Sequence, residues 1–210
     1  MDVFLVAAFS YLSGSVPYGL ILTKFFGKQD IRKIGSGNIG ATNVLRTGNK
    51  VLAFITLLFD ILKGYLPVVI TRLYFPDLTF LSCLLAFLGH IFPIWINFKG
   101  GKGVATYLGI LFALSYSLSF LFIFTWLVVT LIFKYSSVSS LFSSLTIFIT
   151  YAIRDIAKPI IEKMSDEYSE AYVVETNMSF LLFIFFILMV FTHRKNISNL
   201  KNKTENKIKL

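Results

Sequence analysis

The sequence predicts an all-α integral membrane protein: a compact bundle of about seven transmembrane helices, N-terminus outside and C-terminus cytoplasmic, forming one membrane-embedded domain over residues 1–210. Three observations carry that expectation. Of 210 residues, 56% are hydrophobic and 23 are Phe, whereas soluble domains are roughly half apolar. The excess is gathered into nearly uncharged runs such as FLLFIFFILMVF at 180–191, and a membrane span needs about 17–25 such residues. The formal net charge of +9 is concentrated beside the ends of those runs, where cations orient a chain and favour anionic lipid or substrate.

Apolar segments run at 3–23, 51–75, 79–97, 104–133, 137–153 and 178–192. They are too long and too continuously apolar for alternating barrel strands, so helices must satisfy the backbone in lipid. The first segment carries Asp2 where a cleavable signal would be basic, and reads as a retained span. Pro17, in SGSVPYG, kinks it and lets Gly14 and Gly19 give close helix contact. In the second segment Asp60 and Lys63 lie three residues apart on one helical face. Charges inside a span are costly unless paired, so they read as an internal structural ion pair. The third holds Cys83, a small buried hydrophobe, and ends in GHIFPIW, where His90 reads as a helix-end or packing histidine.

Segment 104–133 is long for one span and short for two, and the polar pinch SYSLS at 115–119 is suited to turning the chain. Charge decides between the two readings. Lys24, Lys28, Arg32, Lys33, Arg46 and Lys50 follow the first segment, Lys99 and Lys102 the third, and Lys134 the long run. The tail adds Arg194, Lys195, Lys201, Lys203, Lys207 and Lys209. Segment 154–176 instead carries Asp155, Glu162, Asp166, Glu167, Glu170 and Glu175. A hairpin at 104–133 puts every cation-rich piece on one side, which the positive-inside rule assigns to the cytoplasm.

That face collects GSGNIGATNVLRTG (35–48), FKGGKGVAT (98–106), KYSSVSS (134–140) and HRKNI (193–197). Glycine-rich turns bring backbone N–H groups close to an anion. Gly100, Gly101 and Gly103 surround Lys102 just before a span. The stretch reads as a phosphate cradle or as a plain turn with an interfacial lysine, and it is not a Walker motif. In the first loop Gly35, Gly37 and Gly40 accompany Ser36, Asn38, Thr42 and Asn43, and Arg46 offers a bidentate fork to phosphate. A solvated linker is the alternative, but linkers are Gly/Ser-rich or charged, and this loop contains Ile39, Val44 and Leu45. His193 falls where the last span meets the basic tail.

Other classes are disfavoured. No RNP motif, Cys/His framework or basic helix points to nucleic acid. Two His and one Cys make no metal site, and no GxSxG elbow exists. Nor is any His followed four residues later by Asp, the pairing of many acyltransferases with soluble substrates. A phosphate or organophosphate transporter would place its site near the midplane between repeated halves, and no internal repeat is visible. A lipid-phosphate sensor would need an effector domain or partner. The expected chemistry is phosphate handling without a protein nucleophile.

Taken together, SGSVPYG, DIRKIGSGNIGATNVLR, DILKG, GHIFPIWINFKGGKGVAT, YSSVSS and HRKNISNLKNKTE resemble the bacterial membrane acyltransferases that use acyl phosphate to acylate glycerol 3-phosphate, over almost the whole chain. The resemblance implies a seven-span inner-membrane enzyme with a cytoplasmic site and no metal or organic cofactor. The implied reaction moves a fatty acyl group from acyl phosphate to the 1-hydroxyl of sn-glycerol 3-phosphate, giving lysophosphatidic acid and phosphate. By the same resemblance Ser36, Arg46 and Lys102 hold the glycerol phosphate, with His193 and Asn196 beside it. Gly37, Asn38, Gly100, Gly101 and Gly103 complete the motif loops. Gly40, Ala41, Thr42 and Asn43 form the pocket for the donor's phosphate, joined by Ser139. His193 is the base candidate, against a phosphate oxygen of the donor itself. One departure stands out: relatives often have glycine where this chain has Lys203, two residues before Glu205.

Overall fold

Pro17 withholds a backbone donor from the first apolar segment, and the segment divides there. Helices α1 (Asp2–Ser15) and α2 (Tyr18–Phe25) meet at a bend of 42°. The computed structural model describes residues 1–27, 30–164 and 178–208. Those residues form ten α-helices and no strand. After α2 come α3 (Ala41–Leu45), α4 (Lys50–Tyr74), α5 (Thr79–Ile91), α6 (Val104–Leu114), α7 (Tyr116–Phe133), α8 (Ser136–Met164), α9 (Met178–Thr192) and α10 (Arg194–Lys201). Four helices among the described residues are long and apolar enough to cross a membrane, or six if each bent pair counts as one span; α6 is a shorter apolar helix. Helix α8 continues past the apolar end expected at 153, and most of the acidic connector, 165–177, lies outside the described residues, as do Lys28 and Lys209.

The long run at 104–133 breaks at Ser115, whose backbone is extended (φ −160°, ψ 120°). Its carbonyl accepts the N–H and hydroxyl of Ser119. The serine-rich pinch thus ends one helix and starts the next.

The chain groups into two compact units, Met1–Ser119 and Phe120–Leu210. In the first, α1 packs on α5 and α4 on α6. The approach is close because glycine faces backbone: a Cβ at Gly14 would overlap Ala86, and one at Gly109 would overlap Ile61. The Asp60–Lys63 pair of α4 is buried, Lys63 Nζ lying 2.7 Å from Asp60 Oδ1. Lys63 also donates to the Val16 carbonyl at 2.8 Å, at the α1–α2 break. The buried charges are tolerable because they pair with each other and Lys63 has a carbonyl acceptor besides. In the second unit α8 packs on α9, and α9 bends by 56° into α10 at His193.

Candidate active site

The first loop, residues 30–49, is fastened by its few apolar residues. Ile31, Ile39 and Val44 are buried with Leu20, Leu52 and Ala53, and Ile96 of the second loop packs against the same cluster. Burial of this kind contributes about 1.5–3 kcal/mol per large aliphatic side chain, which a solvated linker lacks. Gly35 (φ 55°) and Gly37 (φ 71°) take left-handed turns on either side of half-buried Ser36. Asn43 is the clamp inside. Its Nδ2 donates to the carbonyls of Ile31, Ile34 and Asn38 at 2.8–3.1 Å, and its Oδ1 accepts the Ser36 N–H at 3.0 Å. Expected as an anion ligand, Asn43 is placed by the structure as the loop's internal tie.

Asn38 Oδ1 accepts the Gly40 N–H at 2.9 Å, and Gly40 opens α3. At the first two positions of α3, Ala41 and Thr42 have N–H groups without an intrahelical acceptor. Arg46 is exposed, and its side chain lies over Gly35, where a methyl group would press on Arg46 Cδ. At the loop's start the Arg32 guanidinium hydrogen-bonds the Asp30 carboxylate, 2.6 Å at the shortest, and holds that carboxyl well below the usual carboxylate range.

The second loop, residues 92–103, is built from backbone bonds. Gly100 N–H donates to Ile91 O and Gly101 N–H to His90 O, both at 3.1 Å. These two amides therefore cap the end of α5, where a phosphate cradle would have turned them outward. Tyr11 Oη donates to Phe92 O at 2.7 Å and Trp95 Nε1 to Ser15 Oγ at 2.8 Å, tying the loop to α1. Asn97 and Phe98 both have left-handed φ, 52° and 59°. Gly103 (φ 85°) turns the chain into α6, and half-buried Lys102 lies between it and Gly101.

The second unit holds the remaining expected residues. His193, 1% exposed, sits at the α9–α10 corner with Nδ1 2.8 Å from Met189 O. A carbonyl only accepts, so Nδ1 carries a proton, and the basic nitrogen of a neutral ring here is Nε2. Asn196 Nδ2 donates to Glu205 Oε1 at 2.5 Å; Ser137 Oγ donates to the same oxygen, and Asn199 Nδ2 donates to Oε2. Ser139 is fully buried, its Oγ donating to Tyr135 O at 3.0 Å and lying 2.7 Å from Thr130 Oγ1. Its hydroxyl thus joins α7 to the start of α8. Glu205, with Asn199, was not foreseen as part of this cluster; the signal was a lone tail acid following two asparagines at 196 and 199.

These observations define a multi-span, all-helical membrane protein whose polar residues are gathered in glycine-turned loops and at a helix corner. A family profile described as Glycerol-3-phosphate acyltransferase matches residues 4–203. The glycerol-3-phosphate acyltransferase of Pelagibacter ubique (strain HTCC1062) is 51% identical over 210 residues, 100% of both chains. That of Brucella anthropi is 45% identical over 200 residues, 95% of this chain and 90% of the other. Among solved structures, PlsY (YgiH), an integral membrane glycerol 3-phosphate acyltransferase, is similar in its glycerol 3-phosphate form with a TM-score of 0.85 at 31% identity, covering 100% of this chain and 96% of that one. Its lysophosphatidic acid form gives 0.83 at 30%. The chain belongs to the glycerol-3-phosphate acyltransferase family, of the PlsY type.

Proposed function

We propose that the protein transfers a fatty acyl group from acyl phosphate to the 1-hydroxyl of sn-glycerol 3-phosphate, releasing lysophosphatidic acid and phosphate at the cytoplasmic face of the inner membrane. The observation that carries this reading is the first loop: a polar, glycine-turned segment pinned down by its own apolar residues, with Arg46 exposed on top. In this reading the chain is one membrane-embedded domain of seven spans, α1 with α2, then α4, α5, α6, α7, α8 and α9. The break at Ser115 and the placement of the cations support that count. Labelling of cysteines introduced in 154–176 from the outside alone is the expected result, and labelling from the cytoplasm alone would sink the topology.

Arg46, Lys102 and Ser36 hold the acceptor's phosphate, and the start of α3, Gly40 through Asn43, frames the donor's phosphate with Asn43 acting from behind. Gly37, Asn38, Gly100, Gly101 and Gly103 shape the two loops. Like-charged substrates resist meeting, and cations with oriented N–H groups offset that repulsion. Holding them together lowers the barrier by several kcal/mol through proximity alone. The acceptor oxygen attacks the acyl carbonyl carbon, the bond from that carbon to the phosphate oxygen breaks, and the acceptor's proton passes to an oxygen of the departing phosphate. Acyl phosphate is a mixed anhydride with a good leaving group, so no strong protein acid is required. His193, fixed by Met189 O, and Asn196, fixed by Glu205, orient the acceptor. The wetted loops receive the anions, while the acyl chain stays along apolar helix surfaces in the bilayer.

Purified protein in lipid should release phosphate from acyl phosphate only when glycerol 3-phosphate is added, and Lys102→Ala should abolish that release. Release without acceptor would point to a phosphatase. If His193→Ala keeps substrate binding and loses only the turnover step, the histidine and not the donor phosphate takes the proton.

A further inference from the structure

His90 lies below the second glycine loop and is used by none of the steps above. It is 3% exposed, and three neighbours, Gly101, Thr106 and Asp60, approach it. Its carbonyl accepts the Gly101 N–H at 3.1 Å. Its ring lies so close under Gly101 that a Cβ there would fall on Nε2. Its Nδ1 is 3.0 Å from Thr106 Oγ1, on α6 just beyond the loop. The same nitrogen is 3.9 Å from Asp60 Oδ1, which Lys63 holds at 2.7 Å. The ring is therefore keyed on one edge to α6, with the Asp60–Lys63 pair of α4 nearby, and its other edge supports the loop.

Lys102 is the next residue along. Behind it Gly103, with φ 85°, has no room for a Cβ because Phe87 fills that space. The backbone of Lys102 is thus held between two contacts, Gly101 on the His90 ring and Gly103 on the Phe87 ring. Both rings belong to α5, one turn apart. A lysine side chain has four rotatable bonds and loses about 2 kcal/mol of rotamer freedom when ordered. A fixed backbone leaves that cost in place but sets the point from which the side chain reaches out, and this the fold supplies in advance.

We infer that His90 is a positioning residue: its imidazole, locked by Thr106, sets the height and direction of the Gly100–Gly103 loop and so presents Lys102 to an anionic acceptor. The inference deepens the acyltransferase reading and rests on it for the identity of the acceptor. Its mechanical content, that the ring holds the loop, does not.

The test has one arm for each. Hydrogen exchange of the 98–106 segment in lipid-embedded protein reads the mechanical part without any substrate. His90→Asn should speed exchange of the Gly100 and Gly101 amides at least about tenfold, with the α5 amides before His90 unchanged. Thr106→Val should do the same more weakly, and Thr106→Ser, which keeps the hydroxyl, should track the wild type. Unchanged loop exchange in His90→Asn would overturn the proposal, whatever the activity. In the kinetic arm His90→Asn should raise the KM for glycerol 3-phosphate about tenfold while the KM for acyl phosphate stays within about twofold. On a Lys102→Ala background, glycerol 3-phosphate binding followed by calorimetry should lose nothing further on adding His90→Asn, because the two changes remove one function. A full additional loss would overturn the link to Lys102. A wild-type protein with no acceptor-dependent turnover would defeat the acyltransferase reading, and the exchange arm would still decide the role of His90.

Discussion

The two glycine loops of the first unit reach order by opposite routes. Residues 30–49 are tied from inside, by one side-chain amide that collects three carbonyls and an N–H, and their glycines supply left-handed turns. Residues 92–103 are tied from outside, by backbone bonds to the end of α5 and by side chains of α1, and two of their glycines supply clearance for rings. The difference teaches what a glycine is for. At Gly37 and Gly48 it permits a backbone angle, at Gly101 it permits an approach, and at Gly35 and Gly103 it permits both, so the same substitution tests them differently.

The largest expected effect is Asn43→Ala. Three carbonyls and the Ser36 N–H lose their partner in a buried place, and groups left unsatisfied cost about 1–3 kcal/mol each. Thermal unfolding in detergent should show a loss of about 3 kcal/mol, with acceptor-dependent turnover gone. An unaffected Asn43→Ala protein would break the comparison, since the first loop would then not be tied from inside. Next comes Gly101→Ala, whose added methyl meets the His90 ring and must lift the loop. Turnover should fall strongly, and His90→Ala in the same chain should restore part of it by removing the obstruction. Gly48→Ala is milder: φ is 86° but nothing lies within 4 Å of the new Cβ, so only the left-handed penalty of about 1 kcal/mol remains.

The smallest effect belongs to the Asp30–Arg32 pair, which is partly exposed and screened by salt. The folded state lowers the Asp30 pKa, so its contribution is complete above the unfolded carboxylate value of about 3.9. It fades as pH falls below that toward the depressed folded value. Melting curves of Asp30→Asn against wild type should therefore differ slightly at neutral pH, converge in acid, and converge in high salt.

Much of this architecture was legible because it follows from single residues acting on their own helix. Pro17 breaks a span wherever it is placed, and the serines at 115–119 start a helix from a polar gap. The pairing of Asp60 with Lys63 needs only their spacing and the absence of water. What stayed hidden is the direction in which a versatile group turns. The Asn43 amide, the Ser139 hydroxyl and the Gly100 and Gly101 N–H groups are equally able to meet an anion or a neighbouring backbone. The fold aims all of them inward. Lys203 shows the reverse case. The family resemblance predicts glycine at this position, and the structure holds Lys203 at φ 59°, a region costing a side chain about 1–2 kcal/mol. The three hydrogen bonds of Glu205, two residues on, hold the tail in that turn.

The break at Ser115 leaves α6 with 11 residues, a rise of about 16 Å against a hydrocarbon layer about 30 Å thick. The helix alone is about half as long as that layer is thick, so the loop and the Ser115 turn at its ends must complete the span. Arg72 grips the carbonyls of Ala113 and Leu114 at one end, so a guanidinium covers carbonyls that the helix leaves open there, at the opposite end of α6 from Lys102. In the reaction proposed above, the small ionic acceptor is the partner that can change depth at little cost. The alternative, raising an acyl tail into water, costs about 0.8 kcal/mol for every methylene exposed. A short helix suits a reaction in which the less mobile partner makes no journey.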